Sequence, residues 1–70
     1  MTGTIARLVD NKYFGFIRSS GIDYFFHKDD LVGFRWPDLE ELYSNKKVIT
    51  VEFTSVDSGK GPRAGNVVVI

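Results

Sequence analysis

The chain has 70 residues, enough for one small hydrophobic core, and we expect a single domain over residues 1–70. Nine basic and nine acidic residues cancel, which argues against duplex-DNA binding driven by net charge. The sequence has no cysteine, which excludes disulfides and thiolate zinc sites and fits a reducing cytoplasm. We also expect no secretion signal and no membrane span, because no apolar run reaches the roughly 18–20 residues that a bilayer requires.

Three short strands are predicted in the first part of the chain, at residues 4–9, 13–18 and 23–27. Polar turns at residues 10–12 and 19–21 separate them. The short connections predict that the strands form an antiparallel meander.

Two further strands are predicted in the second part. Residues 48–54 alternate cleanly, with Ile49, Val51 and Phe53 on the core side. A flexible loop at residues 57–62 leads to a fifth strand at residues 66–70. The whole pattern predicts an all-β protein, and five short strands indicate a closed barrel.

The segment between the third and fourth strands is too long for a hairpin and contains a helix signal. Pro37 is expected to open a short helix over residues 38–43, whose acidic first turn the helix dipole favours. Leu39, Leu42 and Tyr43 would then cover one end of the barrel.

Two aromatic segments, one tight hairpin apart, predict a surface that binds flat rings. Side chains alternate across a strand, so Phe14 and Phe16 share one face of the second strand. If a turn at residues 19–22 joins the strands, Phe16 lies opposite Phe25 and Phe14 lies opposite His27. The four side chains would then form one patch.

The opposite assignment would place Phe14 and Phe16 in the core and Ile17 in water. For an arbitrary strand pair it is the commoner arrangement, because burying a phenylalanine contributes about 1.5–3 kcal/mol. Two residues favour the exposed assignment here. Gly15 fits a place where another backbone comes close, and the imidazole of His27 is expected at the surface.

The sequence also resembles a known family. Residues 12–17, Lys-Tyr-Phe-Gly-Phe-Ile, and residues 24–27, Tyr-Phe-Phe-His, resemble the paired ribonucleoprotein motifs of the cold-shock domain, usually written K-G-F-G-F-I and V-F-V-H. Residues 3–5 match the family's opening Gly-x-Val, and residues 61–67 are similar to its closing G-P-Q-A-A-N-V. The resemblance implies a five-stranded antiparallel OB-type barrel that binds single-stranded RNA or DNA.

The resemblance also implies roles for individual residues. The stacking positions of the family fall on Phe14, Phe16, Phe25, His27 and Trp36, and its backbone-contacting positions fall on Lys12 and Lys60. Trp36 is expected on a loop, where tryptophan is as readily packed as exposed. Asp23 resembles a position that accepts a hydrogen bond from a base edge, although it could instead close the hairpin opposite Arg18.

The chain departs from the family pattern at several positions. Arg7 and Leu8 replace a Trp-Phe pair, Lys28 replaces a phenylalanine, and Tyr13 replaces a glycine. Arginine can stack on a base and reach a phosphate, so Arg7 and Lys28 are expected to exchange ring contact for charge. About four extra residues near residues 40–43 enlarge the segment that is expected to cover one end of the barrel.

We therefore expect a passive binder of single-stranded nucleic acid, an RNA chaperone or a regulator of transcription or translation, without a cofactor. The alternative is an OB-type protein–protein interaction module that uses the same aromatic patch. No catalytic or metal-binding residues are predicted, because His27 lacks an identifiable nucleophile and the carboxylates show no ligand spacing. We expect a monomer, with a dimer as the alternative.

Overall fold

In a computed structural model, which describes residues 1–45, 48–56 and 58–70, the chain forms five strands, one α-helix and two short 3-10 helices. The strands are β1 (Thr2–Val9), β2 (Phe14–Ser19), β3 (Ile22–His27), β4 (Thr50–Val56) and β5 (Arg63–Val69). The helix α1 spans Trp36–Asn45, and the 3-10 helices span Asp10–Lys12 and Lys28–Asp30. Among the helices of the described residues, none has the length and apolar character that a membrane span requires.

The strands close into a barrel in the order β1-β2-β3-β5-β4, and β4 pairs back onto β1. The ladders are antiparallel except where β3 meets β5, a parallel contact that pairs Phe25 with Arg63. A second parallel bridge joins Leu31 to Val67. This is the OB-type barrel that the sequence predicts, with α1 between β3 and β4.

The β2–β3 hairpin has the predicted register, with Phe16 opposite Phe25 and Phe14 opposite His27. Its turn residues, Ser20 and Gly21, both have positive φ, 51° and 79°. Two positive φ angles are typical of the two-residue turns whose twist matches that of a hairpin. The turn therefore fixes which side chains share a face.

The hydrophobic core fills the barrel. Its largest fully buried side chains are Phe26, Ile17, Leu39, Val51 and Val67. Ile49, Val51 and Phe53 are buried as predicted, although β4 itself begins and ends two residues later than expected. Alternate residues along the strands thus form the core, as the sequence pattern predicts.

The helix begins earlier than predicted, at Trp36, and Pro37 is its second residue. The Asp38 carboxylate accepts a hydrogen bond from the Arg35 backbone N–H (3.1 Å). This hydrogen bond stabilises the beginning of the helix. Leu39 is buried, but Tyr43 is 42% exposed, so the expectation that Tyr43 covers the barrel end is wrong. The fully buried residues of α1 are confined to its first half, and Tyr43 lies beyond them.

Other strand boundaries differ from the prediction by one to three residues, and two of these differences bear on the site. Strand β2 starts at Phe14 because Tyr13 has φ 58°, in the left-handed region, where an extended strand cannot continue. Strand β5 starts three residues earlier than expected, at Arg63, and so brings that residue against β3. Residue 57 of the predicted loop lies outside the described residues.

Candidate nucleic-acid interface

Four side chains lie on the outer face of the β2–β3 ladder: Phe14, Phe16, Phe25 and His27. We call them the aromatic face. Each is half-buried, whereas the residues that alternate with them are buried, namely Gly15, Ile17, Tyr24 and Phe26. The phenylalanines are therefore turned outward, and the alternative that placed Phe14 and Phe16 in the core is wrong.

The three phenylalanine rings form a triangle of mutual contacts. The ring centroids of Phe14 and Phe25 are 5.3 Å apart with planes at 38°. Phe16 is 6.0 Å from Phe14 and 6.0 Å from Phe25, in both cases close to edge-on. Such pairs each contribute about 0.5–1.5 kcal/mol beyond area burial. The rings are thus held in place before any ligand arrives.

Gly15 explains how the outward arrangement is built. A Cβ atom at this position would lie 2.6 Å from the Arg7 carbonyl oxygen and 2.8 Å from Leu8 Cδ2. It would also lie 3.0 Å from Phe26 Cε1. Because β1 and the core ring occupy this space, the inner side of β2 has no room for a side chain here.

His27 is fixed by the 3-10 helix that follows it. Its backbone N–H donates to Asp30 Oδ2 (2.8 Å), and its Nδ1 accepts from the Asp29 backbone N–H (3.4 Å). The same Nδ1 also lies 3.4 Å from Asp29 Oδ2. With 35% of its side chain exposed, the oriented imidazole completes the aromatic face next to Phe14.

Lys28 lies over a ring instead of supplying one. Its Nζ is 5.6 Å from the ring centroid of Tyr13, and its backbone N–H donates to the Tyr13 carbonyl (2.9 Å). Tyr13 adopts the left-handed conformation that the family's glycine would take without strain. The two departures from the family pattern are therefore in contact with each other.

Trp36 does not lie on the aromatic face. It is the first residue of α1, is 4% exposed, and packs against Phe26 and the edge of Tyr13, with centroids 6.2 and 6.1 Å away. Its expected position as a stacking residue on a loop is wrong, because the indole packs against the buried ring of Phe26. Its Nε1–H is buried and has no acceptor among the described residues.

The basic residues of the predicted site are all exposed. Arg7 lies opposite Phe16 in the β1–β2 ladder, and Lys12 ends the 3-10 helix just before β2. Lys60 lies in a turn closed by a hydrogen bond from the Gly61 N–H to the Ser58 carbonyl (3.2 Å). Arg7 and Lys60 therefore border the aromatic face on two sides, since both line grooves that include Phe16.

Asp23 closes the hairpin. Arg18 Nε donates to Asp23 Oδ1 (2.8 Å) and Nη2 donates to Oδ2 (3.2 Å), so both carboxylate oxygens have a partner. This hydrogen bonding, with the attraction of the opposite charge, lowers the pKa of Asp23 below its ordinary value of 3.8. Of the two roles expected for Asp23, the structure shows this one, and a base edge would have to compete with Arg18.

Arg63 and Asp30 belong to the same surface but were not among the predicted site residues. Arg63 Cζ is 5.6 Å from the Phe25 ring centroid, and Arg63 Nη2 donates to Asp30 Oδ2 (3.2 Å). Arg63 lies beside Phe25 because β3 and β5 are in parallel contact, and the local sequence does not reveal this contact. The available signal was the departure at residue 63, where the family's closing motif has glutamine.

Comparisons with known proteins agree with this geometry. Among curated protein sequences, none matches the chain. The 'cold-shock' DNA-binding domain family matches residues 1–70, a range that includes the whole barrel and the aromatic face. The chain therefore belongs to the cold-shock DNA-binding domain family, whose members are nucleic-acid-binding domains.

Proposed function

We propose that this protein binds single-stranded RNA or DNA by stacking unpaired bases on the aromatic face. The observation that carries the proposal is the triangle of Phe14, Phe16 and Phe25, held outward on the barrel with His27 beside it. A base has a π-face whatever its identity, so such a surface accepts any sequence with modest preference. A duplex would offer only its paired, stacked interior, which these rings cannot reach.

The number of rings sets the expected affinity. Stacking contributes about 1–3 kcal/mol per base, so four positions give about 4–12 kcal/mol before costs. Association and ordering of the strand oppose this, which leaves roughly micromolar affinity. Binding of that strength is readily reversible.

The exposed basic residues supply contacts to the phosphates. We assign this role to Arg7, Lys12, Lys28 and Lys60, all of which lie exposed at the surface. Each phosphate contact on a single strand contributes a slope of about −0.7 in log K against log salt. Asp23 takes part only where a base edge displaces Arg18 from its carboxylate.

The role that fits this site is a passive one. By occupying bases reversibly, the protein would oppose base-paired structure in RNA, as an RNA chaperone or a regulator of transcription or translation does. No catalytic residue and no cofactor enter this proposal, and a monomer carries the complete aromatic face. The absence of cysteine fits action in the reducing cytoplasm.

The direct test is a titration of fluorescently labelled heptanucleotides followed by anisotropy. Because Trp36 is buried away from the aromatic face, a label on the oligonucleotide reports binding more directly than the intrinsic fluorescence. We expect saturable binding of DNA and RNA single strands, much weaker binding of a hairpin duplex, and weakening with salt. No binding of any strand, together with concentration-dependent dimerisation, would support the protein-interaction module instead.

A further inference from the structure

We propose that Arg63 gives this surface a preference for guanine, by reading the edge of the base that stacks on Phe25. This inference rests on the proposed function, since it specifies which base the same site prefers. The residues that carry it are Phe25, Arg63 and Asp30.

Arg63 is placed beside Phe25 by the backbone. The two residues form the parallel pair of β3 and β5, and the Phe25 N–H donates to the Pro62 carbonyl (3.1 Å). Arg63 Cζ lies over the Phe25 ring, 5.6 Å from its centroid. The guanidinium is therefore an immediate neighbour of any base that stacks on Phe25.

Asp30 fixes the direction of the guanidinium. One of its carboxylate oxygens, Oδ2, accepts both from Arg63 Nη2 (3.2 Å) and from the His27 backbone N–H (2.8 Å). The side chain of Asp30 is 17% exposed, and that of Arg63 is 41% exposed. The planar guanidinium has two edges that each carry two parallel N–H donors, and the single hydrogen bond from Nη2 uses at most one of these edges. The other edge keeps both of its parallel donors.

Two parallel donors match guanine better than the other bases. Guanine presents two acceptors, O6 and N7, on one edge, whereas adenine presents N7 beside a donating amino group. Arginine is the side chain that most often pairs with this guanine edge. The groove at Arg63 has a volume of about 490 Å³, within the range of small-molecule sites, and is also lined by Phe16 and Lys60.

The test compares thymidine heptamers that carry one central substitution. We expect wild-type protein to bind the guanine heptamer about 5- to 150-fold more tightly than the adenine heptamer. Replacing guanine with 7-deazaguanine, which lacks the N7 acceptor, should remove most of that preference. Arg63→Gln and Arg63→Lys should both lose it, since lysine keeps the charge without the fork. Arg35→Gln removes the same charge from an exposed position outside this groove and should keep the preference.

The outcomes separate this inference from the proposed function. Equal binding of all heptamers, or a guanine preference that survives Arg63→Gln, would overturn the role of Arg63 while leaving base stacking intact. Absence of binding to every heptamer would overturn both. If circular dichroism shows that Arg63→Gln does not fold, the 7-deazaguanine comparison on wild-type protein decides.

Discussion

Phe16 lies opposite Phe25 in the β2–β3 ladder, and their ring centroids are 6.0 Å apart with planes at 71°. The backbone register places both rings on the outside, where both also contact the ring of Phe14. A strand that stacks on these rings would not have to order them first. Because association is weakened by every side chain that must be immobilised, this arrangement favours binding.

We predict that Phe16→Ala and Phe25→Ala each weaken binding of a single-stranded heptamer by about 1–3 kcal/mol while the domain stays folded. Each substitution removes a half-buried ring on the outer face and leaves the core intact. Fluorescence anisotropy measures the loss, and circular dichroism checks the fold.

Phe26→Ala is the matched control, because Phe26 lies on the same strand as Phe25 but is fully buried. Its loss should cost about 3–5 kcal/mol of unfolding free energy. An unfolded Phe16→Ala or Phe25→Ala variant would mean that the outer rings, too, are needed for the fold.

Gly15→Ala should destabilise the barrel by about 1–3 kcal/mol in a urea titration. The added methyl group would lie 2.6 Å from the Arg7 carbonyl oxygen, a backbone atom that cannot move aside without disturbing β1. Gly59→Ala provides the comparison, since nothing lies within 4 Å of a Cβ atom there. Equal stability of these two variants would contradict the close approach of β1 to β2.

Replacing Tyr13 tests the strain at the start of β2. The left-handed conformation at this position, with φ 58°, lowers the stability of the fold by about 1–2 kcal/mol for a residue with a side chain. Glycine adopts the same conformation without this cost. Tyr13→Gly should therefore be more stable to urea than Tyr13→Ala by about 1 kcal/mol, although both lose the ring. At the neighbouring Lys12, which has no positive φ, the order should reverse in favour of alanine. The same order at both positions would contradict the left-handed conformation.

The Asp23 carboxyl should titrate below 3.8, because the hydrogen bond from Arg18 lowers its pKa in the folded protein. The folded state then binds fewer protons than the unfolded state, so the pair stabilises the fold above the unfolded pKa. This contribution is lost as the pH falls through the folded pKa. Carboxyl carbon shifts in an NMR titration give the midpoint, and a midpoint at or above the ordinary value would contradict the prediction.

The difference in stability between wild-type protein and Asp23→Asn should follow the same course. It should be present near neutral pH and vanish in acid. High salt should reduce it, since both partners are largely exposed.

The hairpin and its register could be predicted because they depend on local signals. Positive φ at Ser20 and Gly21 and the alternation of rings along β2 are properties of neighbouring residues. The position of Gly15 indicated which face the rings would take, since the close approach of another chain segment leaves room only for glycine.

Trp36 and Arg63 could not be placed by the same reasoning. Trp36 packs against Phe26 of β3, a contact between two separate elements that leaves no signal in the local sequence. Arg63 reaches Phe25 only through the parallel contact between β3 and β5, two strands far apart in sequence. Long-range pairing of this kind is fixed by barrel closure and not by local pattern.

The measurement that tests the central claim most directly is an NMR titration of isotope-labelled protein with a thymidine heptamer. Stacked bases should shift the ring signals of Phe14, Phe16, Phe25 and His27 saturably, whereas the exposed Val68 of β5 should stay unchanged. Unchanged ring signals at saturating heptamer, or shifts centred on Val68, would contradict binding at the aromatic face.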